Sequence, residues 1–251
     1  MRNKYLVVIH SIFFSLIFLV LPAKAQSALD FYDLGNELAN QGEYEFALEA
    51  FEASFELDSS NAKTAFNLAL SHYFLNNLND AIKYLTRAIE IDKGYTYAYQ
   101  NRAALYELVG KYSEAIEDLD VVIEDEPNVA IHYYNRGRYK RFLEEYSEAL
   151  EDYNILVELA PEFIAGYRNR GAILSILGNY EKALVDYNEV LELYEIGITD
   201  TEEDENNISG DYFNRALCKA RMKDLDGACE DVKIASSLGY DVSQLKPLVC
   251  N

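Results

Sequence analysis

One alanine recurs every 34 residues along most of this chain, and an interval of 45 residues precedes the last member of the series. The series is Ala47, Ala81, Ala115, Ala149, Ala183 and Ala228. The dipeptide Asn-Arg keeps the same spacing, at residues 101–102, 135–136, 169–170 and 214–215. Such a period is typical of a stacked repeat, in which each supersecondary unit contacts only its neighbours. The step from 34 to 45 indicates one insertion before the last repeat. A stacked repeat favours binding over catalysis as the function.

Each 34-residue frame has the pattern of two helices joined by a short turn. In the third frame Tyr99, Ala103 and Tyr106 form an apolar stripe at i, i+4 and i+7, and a second stripe follows the break at Gly110. Residues 26–251 are therefore predicted to be all-α. The predicted segments are repeats at 28–61, 62–95, 96–129, 130–163, 164–197 and 209–242, an acidic insertion at 198–208 and a C-terminal cap at 243–251.

The repeats share Tyr-x2-[Leu/Arg]-[Gly/Ala] on the first helix, alanine at position 20 and an aromatic residue or leucine at position 24. This pattern resembles the tetratricopeptide repeat family, although Asn76 and Lys93 stand where the family prefers Gly and Pro. The resemblance implies an α-solenoid of about six helix–turn–helix repeats that form a right-handed superhelix. It also implies that the first helix of each repeat (helix A) lines the concave side, with the second (helix B) outside.

The N-terminal residues 1–25 have the features of a secretory signal peptide. Arg2 and Lys4 precede an apolar run from Leu6 to Leu21, and residues 23–25 form an A-x-A cleavage site. The alternative is an uncleaved membrane anchor, for which the run is short, since a span needs about 20 residues. Because no second apolar run follows, no membrane insertion is expected after cleavage. The protein is expected to be exported and to be periplasmic or secreted.

The charge of the chain excludes one large class of partners. Its 43 acidic residues against 22 basic residues give a formal net charge of −21. So acidic a surface repels phosphate backbones, so that a nucleic-acid partner is not expected. The sequence contains no nucleophile motif, phosphate loop or zinc signature, and His72 and His132 have no ligand at metal spacing. No cofactor, metal or catalytic residue is therefore predicted.

Arginine at position 7 occurs in the same four repeats as aspartate at position 23. In the first two repeats, position 7 is leucine and position 23 is not acidic. A bridge between repeats would leave Arg102 facing Tyr84, so a salt bridge within each repeat is predicted. Arginine suits this role because its planar guanidinium binds a carboxylate in a bidentate manner. The predicted structural pairs are Arg102–Asp118, Arg136–Asp152, Arg170–Asp186 and Arg215–Asp231.

The resemblance also implies which residues face a ligand, because helix-A positions 2, 5, 9, 12 and 13 usually line the family's groove. Here these positions hold many aromatic residues and five bases but the single acid Glu107. One interpretation is a positive, aromatic binding groove, and the other is that helix A is simply less charged because it packs against its neighbours. The predicted groove residues are Tyr134, Arg138, Arg141, Arg168 and Arg221.

Asparagine at position 6 adds a second feature of helix A. Its amide can donate and accept hydrogen bonds, so a row of asparagines can pair with an extended peptide backbone. This row resembles the asparagine ladder of some long tetratricopeptide superhelices, whereas the alternative is that each asparagine caps or bridges adjacent repeats. The residues concerned are Asn67, Asn101, Asn135, Asn169 and Asn214.

The last repeat and the tail contain the three cysteines Cys218, Cys229 and Cys250. The C-terminal sequence resembles that of exported tetratricopeptide proteins from Bacteroidetes-type bacteria, which implies a Cys229–Cys250 disulfide that holds the tail as a cap. Three cysteines allow three pairings, and the sequence alone leaves the others open. The acidic insertion is interpreted as a solvated, mobile loop, with a weak calcium site as the alternative.

Together these features predict a non-enzymatic protein–protein interaction scaffold. Its groove would bind an extended peptide or a partner helix carrying acidic and apolar residues, and Arg138 with Arg168 could hold one carboxylate. One alternative is a structural subunit of a cell-envelope assembly, formed by end-to-end stacking. Another is a groove enzyme, which the single acid Glu107 disfavours because acid–base chemistry on sugars needs two carboxylates.

Overall fold

The computed structural model describes residues 27–199 and 202–250, with the backbone alone for 202–206. The predicted signal peptide lies outside these ranges. The described residues form helices and no strands, and none of these helices combines the length and apolar character needed to cross a bilayer. The helices are α1 Ala28–Asn40, α2 Tyr44–Leu57, α3 Ala62–Phe74, α4 Leu78–Ile91, α5 Thr96–Leu108, α6 Tyr112–Asp125, α7 Ala130–Phe142, α8 Tyr146–Leu159, α9 Ile164–Ile176, α10 Tyr180–Glu195, α11 Glu202–Arg221, α12 Leu225–Ser237 and α13 Lys246–Val249.

Each hairpin turn contains one residue with a left-handed backbone two residues after helix A ends. Only glycine adopts this conformation at no steric cost, and it is found in three of the six turns. Asn76, Glu144 and Lys223 occupy the other turns with φ values of 61° to 68°. The next N–H then bonds a carbonyl of the last helical turn, as from Lys111 to Tyr106 at 2.8 Å. This pairing satisfies a helix-end carbonyl and reverses the chain direction.

The chain divides into two compact units, one up to Leu105 and one from Tyr106. In the first unit α1 packs on α2 and α3 on α4, and in the second unit the pairs are α7 with α8, α9 with α10 and α11 with α12. Five of the six period-defining alanines lie inside these hairpins and the sixth, Ala115, lies on α6; each of the six is 0% exposed. The fold is an all-α solenoid of helix–turn–helix repeats.

In three hairpins, position 8 of helix A packs directly against position 24 of helix B. Where position 24 is aromatic, position 8 is glycine, and where it is aliphatic, position 8 is alanine. A Cβ on Gly35 would lie 2.5 Å from a ring carbon of Phe51, so only glycine fits this ring. The glycine pairs are Gly35–Phe51, Gly137–Tyr153 and Gly171–Tyr187.

The loop predicted for the acidic insertion is wrong for most of its length, because α11 begins at Glu202 and already includes residues 202–208. No proline or glycine separates Glu202 from the sixth frame. Acidic residues are also favoured in the first turn of a helix, where the backbone dipole is positive. Helix A of the last repeat is consequently longer than every other A helix.

The C-terminal tail folds back onto α12. Val242, Leu245 and Val249 are buried against the apolar face formed by Ala228 and Val232. The sulfur atoms of Cys229 and Cys250 lie 2.05 Å apart and their Cα atoms 5.0 Å apart, whereas Cys218 is buried elsewhere as a free thiol. The tail thus covers apolar surface of the last hairpin, as expected for a cap.

Candidate functional site

The arginine at position 7 contacts the aspartate at position 23 of its own repeat wherever both lie in the second unit. The pairs Arg136–Asp152, Arg170–Asp186 and Arg215–Asp231 are joined by two guanidinium nitrogens, with shortest N–O distances of 2.5 to 2.7 Å. All three aspartates are buried. The fourth predicted pair, Arg102–Asp118, falls on opposite sides of the unit division.

The same arginines also reach the preceding repeat, a contact that the sequence interpretation missed. The Nη1 of each arginine donates to an oxygen at position 25 of that repeat, in Arg102–Thr86, Arg136–Asp120, Arg170–Asn154 and Arg215–Asn188. Each guanidinium also lies 5.4 to 5.6 Å from the ring of the tyrosine three residues earlier. The arginine therefore joins two repeats, and the polar residue at position 25 is a sequence signal for this role.

The buried aspartates differ in how many cations they contact. Asp152 also binds Lys140, and Asp231 binds Lys219, at 2.8 Å in each case. The fifth repeat has Leu174 at the corresponding position. Burial raises the pKa of Asp186 above its usual value, although Arg170 acts in the opposite direction. These carboxylates are engaged in the core, which supports a structural role.

The predicted groove face on α7 brings Tyr134, Arg138 and Arg141 together at i, i+4 and i+7. Arg138 stacks on Tyr134 at 5.6 Å and binds Glu107 of the preceding repeat at 2.7 Å. Tyr139 donates its hydroxyl to the other oxygen of Glu107 at 2.7 Å. Burial and the carboxylate of Glu107 together raise the pKa of Tyr139. The predicted single acid of the groove thus neutralises one of its bases.

Arg168 occupies a different environment from the one predicted. Its Nε binds Asp211 at 2.9 Å, and one Nη donates to the hydroxyl of Tyr194 at 2.5 Å. Asp211 is almost completely buried, so this ion pair ties α9 to α11. Arg138 and Arg168 are each already paired with a carboxylate of this protein. The structure therefore does not support the prediction that the two arginines share a carboxylate of a ligand.

Arg141 and Arg221 form no ion pair with any described residue. Arg221 is exposed at the end of α11. Arg141 is half-buried and lies 5.3 Å from the ring of Phe142. Of the predicted α7 face, Arg141 therefore retains a charge that the described part of the chain does not neutralise.

The hairpins described above match a known repeat family. Models of the tetratricopeptide repeat match residues 32–96 and 164–195. The chain is a tetratricopeptide repeat protein. This family is in general a non-catalytic fold for protein interactions. No curated protein matches the chain in sequence.

Solved structures of other proteins share this fold. A crystal structure of MamA is 23% identical, covers 67% of this chain and 92% of its own, and gives a TM-score of 0.62. YrrB, described as a tetratricopeptide protein with an unusual peptide-binding site, is 21% identical over 78% of this chain and 95% of its own, with a TM-score of 0.64. A tetratricopeptide repeat protein from Parabacteroides merdae is 21% identical over 90% of this chain and 100% of its own, with a TM-score of 0.60.

The asparagine row of this tetratricopeptide repeat protein does not behave uniformly. Asn67 donates to the side chain of Asn36 in the preceding repeat at 2.8 Å, in line with the bridging interpretation. Asn101 and Asn169 each donate to a carbonyl of their own helix at 2.7 Å. Asn135 and Asn214 are half-buried and make no side-chain hydrogen bond with a described residue. An asparagine that donates one amide proton to its own helix still has a second amide proton and the side-chain oxygen for other hydrogen bonds.

Apolar side chains are exposed at position 13, at the last turn of helix A. In the second unit they are Leu108, Phe142 and Ile176, with exposures of 60%, 47% and 56%. Phe142 stacks on Tyr112 at 4.8 Å, which holds its ring in place. We call these three residues the apolar row.

In the first unit, a cleft of about 300 Å³ opens between α1 and α3. The bonded pair Asn36 and Asn67 lines it, together with the rings of Tyr44 and Phe74, which stack at 4.3 Å. No three His, Cys, Asp or Glu side chains are grouped as metal ligands in the described part of the chain. The helix-A faces of both units thus offer amides, rings and apolar side chains to a partner.

Proposed function

We propose that this protein is a non-enzymatic scaffold that binds an extended peptide segment along the helix-A face of its second unit. The segment would carry apolar residues and at least one acidic residue. The class of function follows from the family, whose repeats bind other proteins or peptides. The binding surface on the second unit and the chemistry of the ligand are what we propose in addition.

The observation that carries the proposal is the apolar row beside an arginine without an ion pair. Leu108, Phe142 and Ile176 occur at the same position of three consecutive repeats and are about half exposed. Burying the exposed half of one such side chain contributes about 1 kcal/mol. Arg141 precedes Phe142 directly, so a negative group on the segment would meet an opposite charge next to the row.

A peptide-library selection tests this proposal. Random 12-residue peptides displayed on phage are selected on the immobilised protein, and the enriched peptides are measured by fluorescence anisotropy. We expect enrichment of sequences that combine apolar and acidic residues. The double variant Leu108→Ser/Ile176→Ser should weaken their binding at least tenfold, because both anchors are lost.

A matched control separates the helix-A face from exposed apolar surface in general. Val185 lies on a B helix and is 64% exposed. Val185→Ser should leave the affinity unchanged. Failure to enrich any peptide, or an equal loss for the Val185 variant, would argue against the proposed surface.

We further propose that the protein is exported after cleavage of residues 1–25. The support is the basic start, the apolar run and the small-residue site in the sequence. Expression in a bacterial host, followed by mass spectrometry of the periplasmic and culture fractions, should find a chain that begins at Gln26. An intact chain retained in the membrane fraction would indicate the anchor instead.

A further inference from the structure

Two buried polar atoms beneath the α7 face have no hydrogen-bond partner among the described residues. They are the hydroxyl of Tyr153 and the Nε of Arg141. Tyr153 is 0% exposed, and its ring packs against the backbone of α7 at Gly137, one helical turn from Arg141. A buried hydroxyl without a partner is costly, by about 1–3 kcal/mol, and such groups are rare in native proteins.

The fifth repeat has a different residue beside the corresponding tyrosine. Tyr187 corresponds to Tyr153 and is equally buried, and the hydroxyl of Ser175, which also contacts the sulfur of Cys218 at 3.2 Å, interacts with it. Ser175 occupies the position that Arg141 holds in the fourth repeat. In the fourth repeat an arginine thus replaces the residue that pairs with the tyrosine, and both polar atoms are left without a partner.

The charges around the Tyr153 hydroxyl come mainly from α7 and α8. Arg141, Arg138 and Asp152 all act on it electrostatically. Arg138 is paired with Glu107, and Asp152 is paired with two cations of α7. The charge of Arg141 is the one left without an ion pair among the described residues, so the local field favours an anion.

We propose that Arg141 and Tyr153 form a binding site for a carboxylate of the bound segment. This site rests on the proposed function and names the group that anchors the ligand. Arg141 Nε–H can only donate. The Tyr153 hydroxyl can accept one hydrogen bond but also has a proton to donate, so an acceptor shared by the two groups would satisfy both donors. A carboxylate offers two acceptor oxygens and the opposite charge, which match the guanidinium edge and the hydroxyl. Because Tyr153 is 0% exposed, carboxylate binding requires a movement of the Arg141 side chain that opens a path to the hydroxyl.

Titration with acetate tests the site without any peptide. The Nε–H signal of Arg141 is followed in proton–nitrogen NMR spectra and assigned by its loss in Arg141→Lys. We expect a saturable shift of this signal on addition of acetate but not of an equal concentration of chloride. Tyr153→Phe should weaken acetate binding about tenfold, the expected effect of one hydrogen bond to a charged group.

Tyr187→Phe is the matched control, and it should leave acetate binding unchanged. Tyr153→Phe should fold with an unchanged or higher urea midpoint, because it removes a hydroxyl that has no partner, so the test does not depend on a damaged protein. An Arg141 signal that does not respond to acetate, or an equal response of the two phenylalanine variants, would overturn the proposal.

Selected peptides separate this site from the proposed function. Two changes to a selected peptide remove one carboxylate each: replacement of its acidic residue with the corresponding amide, and amidation of its C-terminus. The change that removes the bound carboxylate should weaken binding to wild type but not to Tyr153→Phe. If peptides bind equally to wild type, Arg141→Lys and Tyr153→Phe, the carboxylate site is refuted while the scaffold function stands. If acetate binds at Arg141 but no peptide is enriched, the site stands and peptide binding is refuted.

Discussion

Gly35→Ala should destabilise the first hairpin by about 2 kcal/mol. The new Cβ would lie 2.5 and 2.6 Å from two ring carbons of Phe51, whereas carbon atoms normally approach to about 3.5–4.0 Å. The ring must therefore move by about 1 Å, although Phe51 is 1% exposed and enclosed by the core. Overpacking of this kind costs about 1–3 kcal/mol. We take the upper end because the overlap is severe, and subtract about 1 kcal/mol for the better helix propensity of alanine.

A second substitution should rescue the first. Phe51→Leu alone should cost on the order of 1 kcal/mol because it removes buried ring atoms. The double variant reproduces the pair Ala69 and Leu85 of the second repeat, both of which are buried. The sum of the single effects should therefore exceed the effect of the double variant by about 1–2 kcal/mol.

The assay is urea unfolding followed by circular dichroism, together with hydrogen exchange of α1 and α2. Hydrogen exchange is needed because an end repeat can open before the rest of a stacked array. Gly210→Ala is the control: its Cβ would contact Tyr240 at an ordinary 3.4 Å, so it should stabilise the protein slightly. Additive effects at Gly35 and Phe51, or a stabilising Gly35→Ala, would refute the steric argument.

Three further predictions concern the second unit. Asp152→Ala should lower the free energy of unfolding by about 3 kcal/mol, because half-buried Arg136 loses its bidentate partner, and a loss below about 1 kcal/mol in urea unfolding would contradict this. Burial raises the pKa of Tyr187, so above about pH 10 its hydroxyl ionises in the unfolded chain but not in the folded one. The contribution of the neutral hydroxyl to the free energy of unfolding is therefore fully present below about pH 10 and is lost as the pH rises. Urea midpoints should fall above about pH 10, and they should fall less steeply in Tyr187→Phe. Cys250→Ser should free the tail and cost up to about 3 kcal/mol. Because Cys218 is buried, alkylation is done in denaturant without reductant; it should label one cysteine in wild type but two, including Cys229, in the variant, and three labelled cysteines in wild type would show that no disulfide forms.

Much of the repeat architecture was predictable from local sequence. Five A helices begin at the first residue of a predicted frame, from Ala28 to Ile164. The pairing of glycine with a ring and of alanine with an aliphatic residue is also a pattern of the sequence, as at Gly35 with Phe51. Such features repeat because every hairpin solves the same packing problem. The boundary of α11 was missed because composition alone does not distinguish a charged helix from a charged loop.

The candidate site was less predictable than the fold. Tyr134, Arg138 and Arg141 lie at i, i+4 and i+7 of α7, but the partners of the groove arginines come from elsewhere in the chain. Arg138 is neutralised by Glu107, 31 residues away, and Arg168 by Asp211, 43 residues away. Neither separation is a multiple of the repeat, so the period does not reveal them.

The sequence by itself determined the helix–turn–helix repeat, its small-residue contacts and the arginine–aspartate pairs of the second unit, because these depend on spacing within one repeat. Only the tertiary structure decided which groove arginines form no ion pair and which buried hydroxyls lack a hydrogen-bond partner among the residues that it describes. The physical reason is that charge neutralisation and hydrogen bonding act over a few ångströms in space. Side chains from different repeats meet at those distances only after the helices have stacked.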